Sequence, residues 1–372
     1  KVSVIENLKE AWRNIEATDL EFVKQETLGF CKNQVLKGAI VEAVDLLEQK
    51  KYDEIKTIVD AAMKAGSERD LGHDYIISLE DRLTESVRET LPTPWDAVTN
   101  VMDGGLAGGE LGVLVAPAGI GKTWCLQALG AHLVREGKTV VHYTLELNAN
   151  YVGLRYDTVF SGTPTANVKF YQEDVQKVID KLTGKLIIKY YPTRSATVNT
   201  LAAHLKQMEI QEIKPDAVIV DYADILKPTT FYKEKRHATG ETYENLRGMA
   251  GEFDIPVWTA SQANRSSLEE DVIDATKVSE DYSKVMTADF VMSVSRKVED
   301  KIANTGRFHV IKNRFGVDGI TFPASINTNT GLIQVHEAST LSGKEAQGKM
   351  DNSEEYLRKT LSQKYKDMGG FE

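Results

Sequence analysis

Residues 113–124, Val-Leu-Val-Ala-Pro-Ala-Gly-Ile-Gly-Lys-Thr-Trp, run from an apolar stretch into a glycine turn and end on Lys122-Thr123-Trp124. That order predicts a strand, a phosphate loop and then a helix. Residues Ala116 to Thr123 fit the pattern G-x-x-x-x-G-K-[ST], with Ala116 standing where the first glycine usually is. Backbone N–H groups from Ala118 through Gly119, Ile120 and Gly121 can converge on phosphate oxygens only where no Cβ intrudes, and the helix start at Trp124 adds positive dipole. Lys122 supplies a charge for the β- and γ-phosphates, and the Thr123 hydroxyl is the expected Mg²⁺ ligand. A glycine-rich turn with a chance lysine is the bland alternative. The periodic Leu126, Leu129 and Leu133 that follow favour the loop, with ATP and Mg²⁺ as its cofactors.

The sequence around this stretch alternates regularly. Strands are predicted at Gly112–Ala116, Thr139–Thr144, Leu186–Tyr190, Ala217–Asp221, Pro256–Ala260, Phe290–Ser295 and Phe308–Lys312, with helical patterns between most of them. Short apolar runs joined by helices imply an α/β fold whose central sheet is mostly parallel and covered on both faces. The last strands, Phe308–Asn313 and Gly319–Ile326, read as antiparallel hairpins with a turn at Asn329-Thr-Gly331.

Residues 1–66 read as an N-terminal helical module in which Leu36, Ile40, Val44 and Leu47 should bury one face. A second amphipathic helix is expected over Tyr52–Met63, and contact with a neighbouring subunit is the one role suggested beyond stability. Residues 67–94 form a polar connector with one helical stretch at Ile76–Glu89, and Pro92 and Pro94 stop any helix from running on. The α/β domain then spans 95–337, and 338–372 read as a polar tail.

Across the 372 residues, 41% hydrophobic and 27% charged content is ordinary for a soluble globular chain, and no apolar run is long enough to cross a bilayer. A cytoplasmic location is therefore expected. Two distant cysteines, Cys31 and Cys125, suit a reducing compartment and small core positions. The chain opens on Lys1 without a methionine, so residues are expected upstream. A net charge of −10 argues against a nucleic-acid coat and leaves a local basic site open.

Three further strand ends carry chemistry. Asp221 closes Ala-Val-Ile-Val-Asp and is placed to hold the Mg²⁺ water shell opposite Thr123. Glu146 closes Thr139–Glu146 as a candidate general base. Gln262 closes Val257–Gln262, where an amide can sense a γ-phosphate and pass its loss to the next loop. The plainer readings are a helix cap or solvated turn for Asp221 and an exposed strand-end acid for Glu146, and the Gln262 signal is weak by itself.

Together these blocks resemble the helicase domain of the DnaB-type replicative helicases, RecA-like ring motors, and their phage-type members in particular. The resemblance rests on Ala116–Thr123, Thr144-Leu-Glu-Leu147 with Arg155 nine residues after the glutamate, Val220-Asp-Tyr-Ala-Asp224, Ser261-Gln-Ala-Asn-Arg265 and Ile311-Lys-Asn-Arg-Phe-Gly316, in the family's order over about residues 92 to 335. It implies a RecA-like P-loop core with Glu146 as catalytic base, Arg155 as a nucleotide contact and Gln262 as sensor. Lys312 and Arg314 would reach the γ-phosphate of a neighbouring subunit, which requires a ring or a filament; the resemblance implies a homo-oligomer, a hexameric ring. Two cations spaced two apart share a strand face, and an arginine given across an interface can speed phosphoryl transfer by about 10³–10⁵. The plainer reading is a pair of solvated cations guarding an edge strand. By the same resemblance the chain is an ATP-dependent helicase on single-stranded DNA in a bacterial or phage-infected cell, with a primase or helicase loader as further partners to consider. Ala223-Asp224 departs from the family's commoner leucine-glutamine.

The segment 225–240 carries Lys227, Lys233, Lys235 and Arg236 against the single acid Glu234 and is the expected DNA loop. Phe231 and Tyr232 could stack on bases or pack beneath it. A second loop, Arg265–Lys284, is patchier because of its acids, with Arg265, Lys277 and Lys284 as its contacts. The alternatives are a RecA-like recombinase filament and a nucleotide-gated signalling protein. The usual mark of the latter, adjacent glutamates, is replaced here by Leu145-Glu146-Leu147.

Overall fold

In the computed structural model, residues 20–48, 51–64, 88–230, 235–277 and 283–338 are described. Two units divide the chain, Lys1–Val87 and Arg88–Glu372. The first contains α1 (Leu20–Glu48) and α2 (Tyr52–Lys64), which pack as a hairpin. The helices match the sequence reading, but the expected buried face does not. Ile40, Val44 and Leu47 are 52%, 54% and 56% exposed, and among the described side chains of the pair only Ala39 and Ala62 are buried. Leu36, Leu46, Ile55, Ile58 and Val59 are half-buried instead.

The second unit runs β1 (Thr90–Leu91), α3 (Asp96–Val101), β2 (Leu106–Ala107), β3 (Leu111–Ala116), α4 (Lys122–Arg135), β4 (Thr139–Thr144), α5 (Ala149–Ser161), α6 (Gln172–Ile179), β5 (Lys185–Tyr190), α7 (Val198–Ile210), β6 (Ala217–Asp221), α8 (Lys235–Phe253), β7 (Val257–Gln262), α9 (Ser283–Thr287), β8 (Phe290–Ser295), α10 (Val298–Ala303), β9 (Thr305–Asn313), β10 (Thr321–Asn327) and β11 (Leu332–Val335). The main sheet has the order β11-β10-β9-β8-β3-β7-β6-β4-β5. The pairings from β8 through β5 are parallel and those from β8 to β11 antiparallel. The predicted strands are all present, shifted by a few residues at some ends. The sequence reading did not assign β11, which pairs with β10 across the Thr328–Gly331 turn.

Alternation along the strands feeds two cores. Leu114, Ala116, Val140 and Ile219 pack with Leu126, Leu129 and Leu133 of α4 on one face. Val113, Val115, Val141 and Val218 pack with Leu201, Leu205, Leu246 and Met249 of α7 and α8 on the other. A sheet buried on both sides needs continuous apolar strands, which is what these segments are.

Residues 88–94 belong to this unit. Arg88 donates to both oxygens of Glu110 at 2.7 and 2.8 Å and to the Met102, Asp103 and Gly105 carbonyls, and it lies 3.6 Å from the Phe315 ring centroid. Arg88 and Glu89 are not helical, so the helix expected to run to Glu89 does not reach these residues, and its earlier part lies outside the described residues. Among the described residues, no helix is long and apolar enough to cross a membrane.

Candidate nucleotide site

Four adjacent parallel strands, β3, β7, β6 and β4, bring their carboxyl ends to one edge of the sheet. Register makes the meeting specific: Ala116 pairs with Gln262, and Asp221 pairs with Thr144. The Thr259 hydroxyl donates to the Val220 carbonyl at 2.8 Å and accepts from the Ala223 N–H at 3.1 Å, fixing the chain where it leaves β6.

The phosphate loop joins β3 to α4. Gly119 and Gly121 take φ of +75° and +119°, a region in which side chains are strained, so both glycines serve the turn's geometry. Gly121 is the residue before the first turn of α4 and has no side-chain cap, which leaves helix N–H groups directed outward for an anion. Lys122 folds back onto its own loop, donating to the Ala116 and Pro117 carbonyls at 2.9 and 3.2 Å. Burial pushes its ammonium pKa down, and the charges of Asp221, Asp224 and Glu146 oppose that.

Asp221 is 1% exposed, and neither carboxylate oxygen meets a donor in good hydrogen-bond geometry, the Thr123 hydroxyl being the donor beside it. Burial raises its pKa to about 6, with Glu146 adding to the rise and the Thr123 hydroxyl, Lys122 and Arg155 offsetting part of it. A buried carboxylate beside a hydroxyl is expensive as it stands, and it is the donor set that a hard cation such as Mg²⁺ takes. The residues fit the metal.

Glu146 is exposed just past β4. The turn is held by the Thr144 hydroxyl, which donates to the Leu147 carbonyl at 2.7 Å, while the Leu145 N–H donates to the Asp221 carbonyl at 2.9 Å. Asn148 then caps α5 by accepting from the Tyr151 N–H at 2.8 Å. Two turns on, Arg155 lies 5.0 Å from the ring centroids of both Trp124 and Tyr151. Trp124 and Arg155 are expected nucleotide contacts, and Tyr151, which the sequence reading did not single out, joins their cluster from four residues before Arg155.

Lys312 and Arg314 leave the nucleotide edge for another part of the unit. Lys312 donates to the Val285 and Met286 carbonyls at 2.9 and 2.6 Å, and Arg314 to Asp289 at 2.6 Å. β9 is bonded to β8 along its length and to β10 over Thr305–His309, so Lys312 lies beyond the stretch that β10 covers.

The basic segment 225–240 is only partly a loop. From Lys235 it is helical, since beyond Pro228 nothing in it breaks a helix until Gly240, which α8 absorbs. Lys227 is exposed. Lys233, Phe231 and Tyr232 lie outside the described residues, as do the side chains of Lys235, Arg236 and Arg265. In the second segment Lys277 pairs with Glu270 at 2.8 Å. Lys284 is corrected as a DNA contact: its side chain is 2% exposed and paired with Asp224 at 3.0 Å, so no backbone phosphate can reach it.

Residues 91–323 match the family model described as DnaB-like helicase C terminal domain. The chain is 27% identical over 278 residues to a DnaB-like replicative helicase of Enterobacteria phage T4, covering 70% of this chain and 58% of that protein. It is 22% identical over 208 residues to the replicative DNA helicase DnaB of Helicobacter pylori, covering 52% and 42%. The chain thus spans about half the length of these curated relatives. In structure it matches a DnaB-like replicative helicase solved for its interactions with primase, with a TM-score of 0.66, 14% identity and coverage of 87% of this chain and 80% of that one. That likeness shows the fold, a RecA-like α/β core with a mostly parallel sheet. With well over half its length matched by the family model, the chain belongs to the DnaB-like helicase C-terminal domain family.

Proposed function

We propose that the chain is an ATP-driven replicative DNA helicase that translocates on single-stranded DNA as a homo-oligomeric ring, hexameric by family resemblance, with active sites between subunits. The observation that carries this is the convergence at one sheet edge of the phosphate loop, the buried Asp221, the exposed Glu146 and Gln262 in register with Ala116. Loop N–H groups and Lys122 hold the triphosphate. Mg²⁺ held by Thr123 and Asp221 would neutralise charge on the phosphate oxygens. Glu146 takes a proton from the attacking water, a role typically worth about 10²–10⁴ in rate. Lys312 and Arg314 of one copy complete the pocket of the next, and Lys227 with the basic segment around it follows the DNA backbone. A primase is the further partner proposed, since the structural relative interacts with one.

The test is ATP hydrolysis by the purified chain with and without single-stranded DNA, alongside unwinding of a forked duplex and negative-stain imaging. The reading requires DNA-stimulated hydrolysis, unwinding and rings. Filaments with strand exchange, or hydrolysis indifferent to DNA, would replace it.

A further inference from the structure

Asp224, in the short turn after β6, gathers donors from three other elements. Its carboxylate accepts from the Tyr243 hydroxyl of α8 at 2.8 Å, from the Ser261 hydroxyl at 3.1 Å and the Gln262 N–H at 3.0 Å in β7, and from Lys284 of α9 at 3.0 Å. Lys284 also donates to the Ser261 hydroxyl at 3.1 Å and lies 5.7 Å from the Tyr243 ring centroid. The side chains of Lys284 and Asp224 are 2% and 17% exposed.

The places these residues occupy give the cluster its meaning. Asp224 stands three residues before Lys227, at the start of the basic segment, and Tyr243 is on the helix that ends that segment. Lys284 ends the second segment, Arg265–Lys284. Gln262 closes the strand in register with Ala116 of the phosphate loop. A buried ion pair is a poor source of stability, since desolvation offsets its attraction and apolar side chains would pack as well. What it does provide is a fixed geometry among groups that must all meet one carboxylate. The Asp224 carboxylate is the anion that balances the buried Lys284 charge.

We infer that the Asp224–Lys284 pair is the joint that couples the triphosphate sensed at Gln262 to both segments, 225–240 and 265–284, the two residues acting as positioning residues. The inference rests on the proposal that the basic segment follows DNA, with the Arg265–Lys284 segment expected beside it. Movement of the Gln262 backbone when the γ-phosphate arrives or leaves pulls on Asp224, and Asp224 moves the root of one segment directly and the root of the other through Lys284.

The decisive comparison is among the parent chain, D224N/K284M, K284Q and K284R, assayed for ATP hydrolysis with and without single-stranded DNA and for DNA affinity with Mg-ADP or a non-hydrolysable ATP analogue. In D224N/K284M, hydrolysis without DNA should stay within about twofold of the parent, DNA stimulation should fall at least tenfold, and DNA affinity should no longer depend on the nucleotide. K284R should keep stimulation and K284Q should lose it. If D224N/K284M does not fold by circular dichroism, the K284R and K284Q pair decides, and equal behaviour of the two overturns the joint. Stimulation retained in a folded D224N/K284M also overturns it. A parent chain that DNA does not stimulate would instead sink the helicase reading, so the two failures are distinguishable.

Discussion

Arg314 donates to the Asp289 carboxylate at 2.6 Å, and the same carboxylate takes both the Nε and Nη2 of Arg247 at 3.0 Å and the Leu111 N–H at 3.0 Å. One acid, 3% exposed, thus ties the end of β9, helix α8 and the start of the strand that feeds the phosphate loop. Burial together with the nearby Arg314 lowers the pKa of Lys312.

Asp289→Asn should therefore destabilise the unit. The two arginines are 41% and 45% exposed and recover hydration, so the loss is set at about 1–2 kcal/mol. A lower urea midpoint at unchanged slope is the expected result, and an unchanged midpoint would show that the carboxylate holds nothing.

Glu146→Gln should lower turnover by about 10²–10⁴ while leaving nucleotide affinity within a factor of two. Hydrolysis in single-turnover mixing and titration with a fluorescent nucleotide separate the two. Parental hydrolysis in this variant would remove Glu146 as the base.

Two glycine-to-alanine changes should move stability in opposite directions. At Gly112 a Cβ would stand 2.5 Å from the Trp258 ring and 2.8 Å from Leu106, so Gly112→Ala should cost about 1–3 kcal/mol through overpacking. At Gly248, exposed within α8 with no atom within 4 Å, alanine should stabilise by about 0.5–1 kcal/mol. Thermal unfolding of both variants checks the pair.

His142 sets a pH dependence. Its ring is fully buried in β4, shares a 2.8 Å hydrogen bond with Tyr156, and is held neutral with a pKa near 3 by burial. The unfolded chain takes up a proton below about pH 6.5, and the fold cannot. Stability is therefore complete above that pH and is lost as pH falls toward 3, by about 2 kcal/mol at pH 5. Asp221 works in the other direction, because its raised pKa relieves a buried charge as pH falls through about 6. Comparing the parent with His142→Gln at pH 7 and pH 5, without Mg²⁺, isolates the histidine. A stability difference between the two proteins that does not change with pH would contradict its assignment.

The fold was legible because a sheet buried on both faces writes itself as apolar runs, and the strand-to-helix turn after β3 because a candidate phosphate loop has glycine, lysine and threonine in fixed order. What was not legible lay in contacts between distant segments. Asp224 looked like a local variant in a loop, and Lys284 like a cation free for DNA, because their pairing spans sixty residues of chain. Asp289 showed no pattern at all, since its partners Arg247 and Arg314 meet it only in the folded sheet. The apolar spacing of Ile40, Val44 and Leu47 correctly marked a helix and gave no information about whether anything covers it.

The central claim is that each triphosphate pocket is built from two copies. Mixing Glu146→Gln chains, which keep Arg314, with Arg314→Ala chains, which keep Glu146, tests it directly through DNA-stimulated ATP hydrolysis. Each variant alone should be nearly inactive, and the mixture should recover hydrolysis at the interfaces where an intact Glu146 meets an intact Arg314. Full activity of Arg314→Ala alone, or a mixture no more active than its two components, would contradict the account.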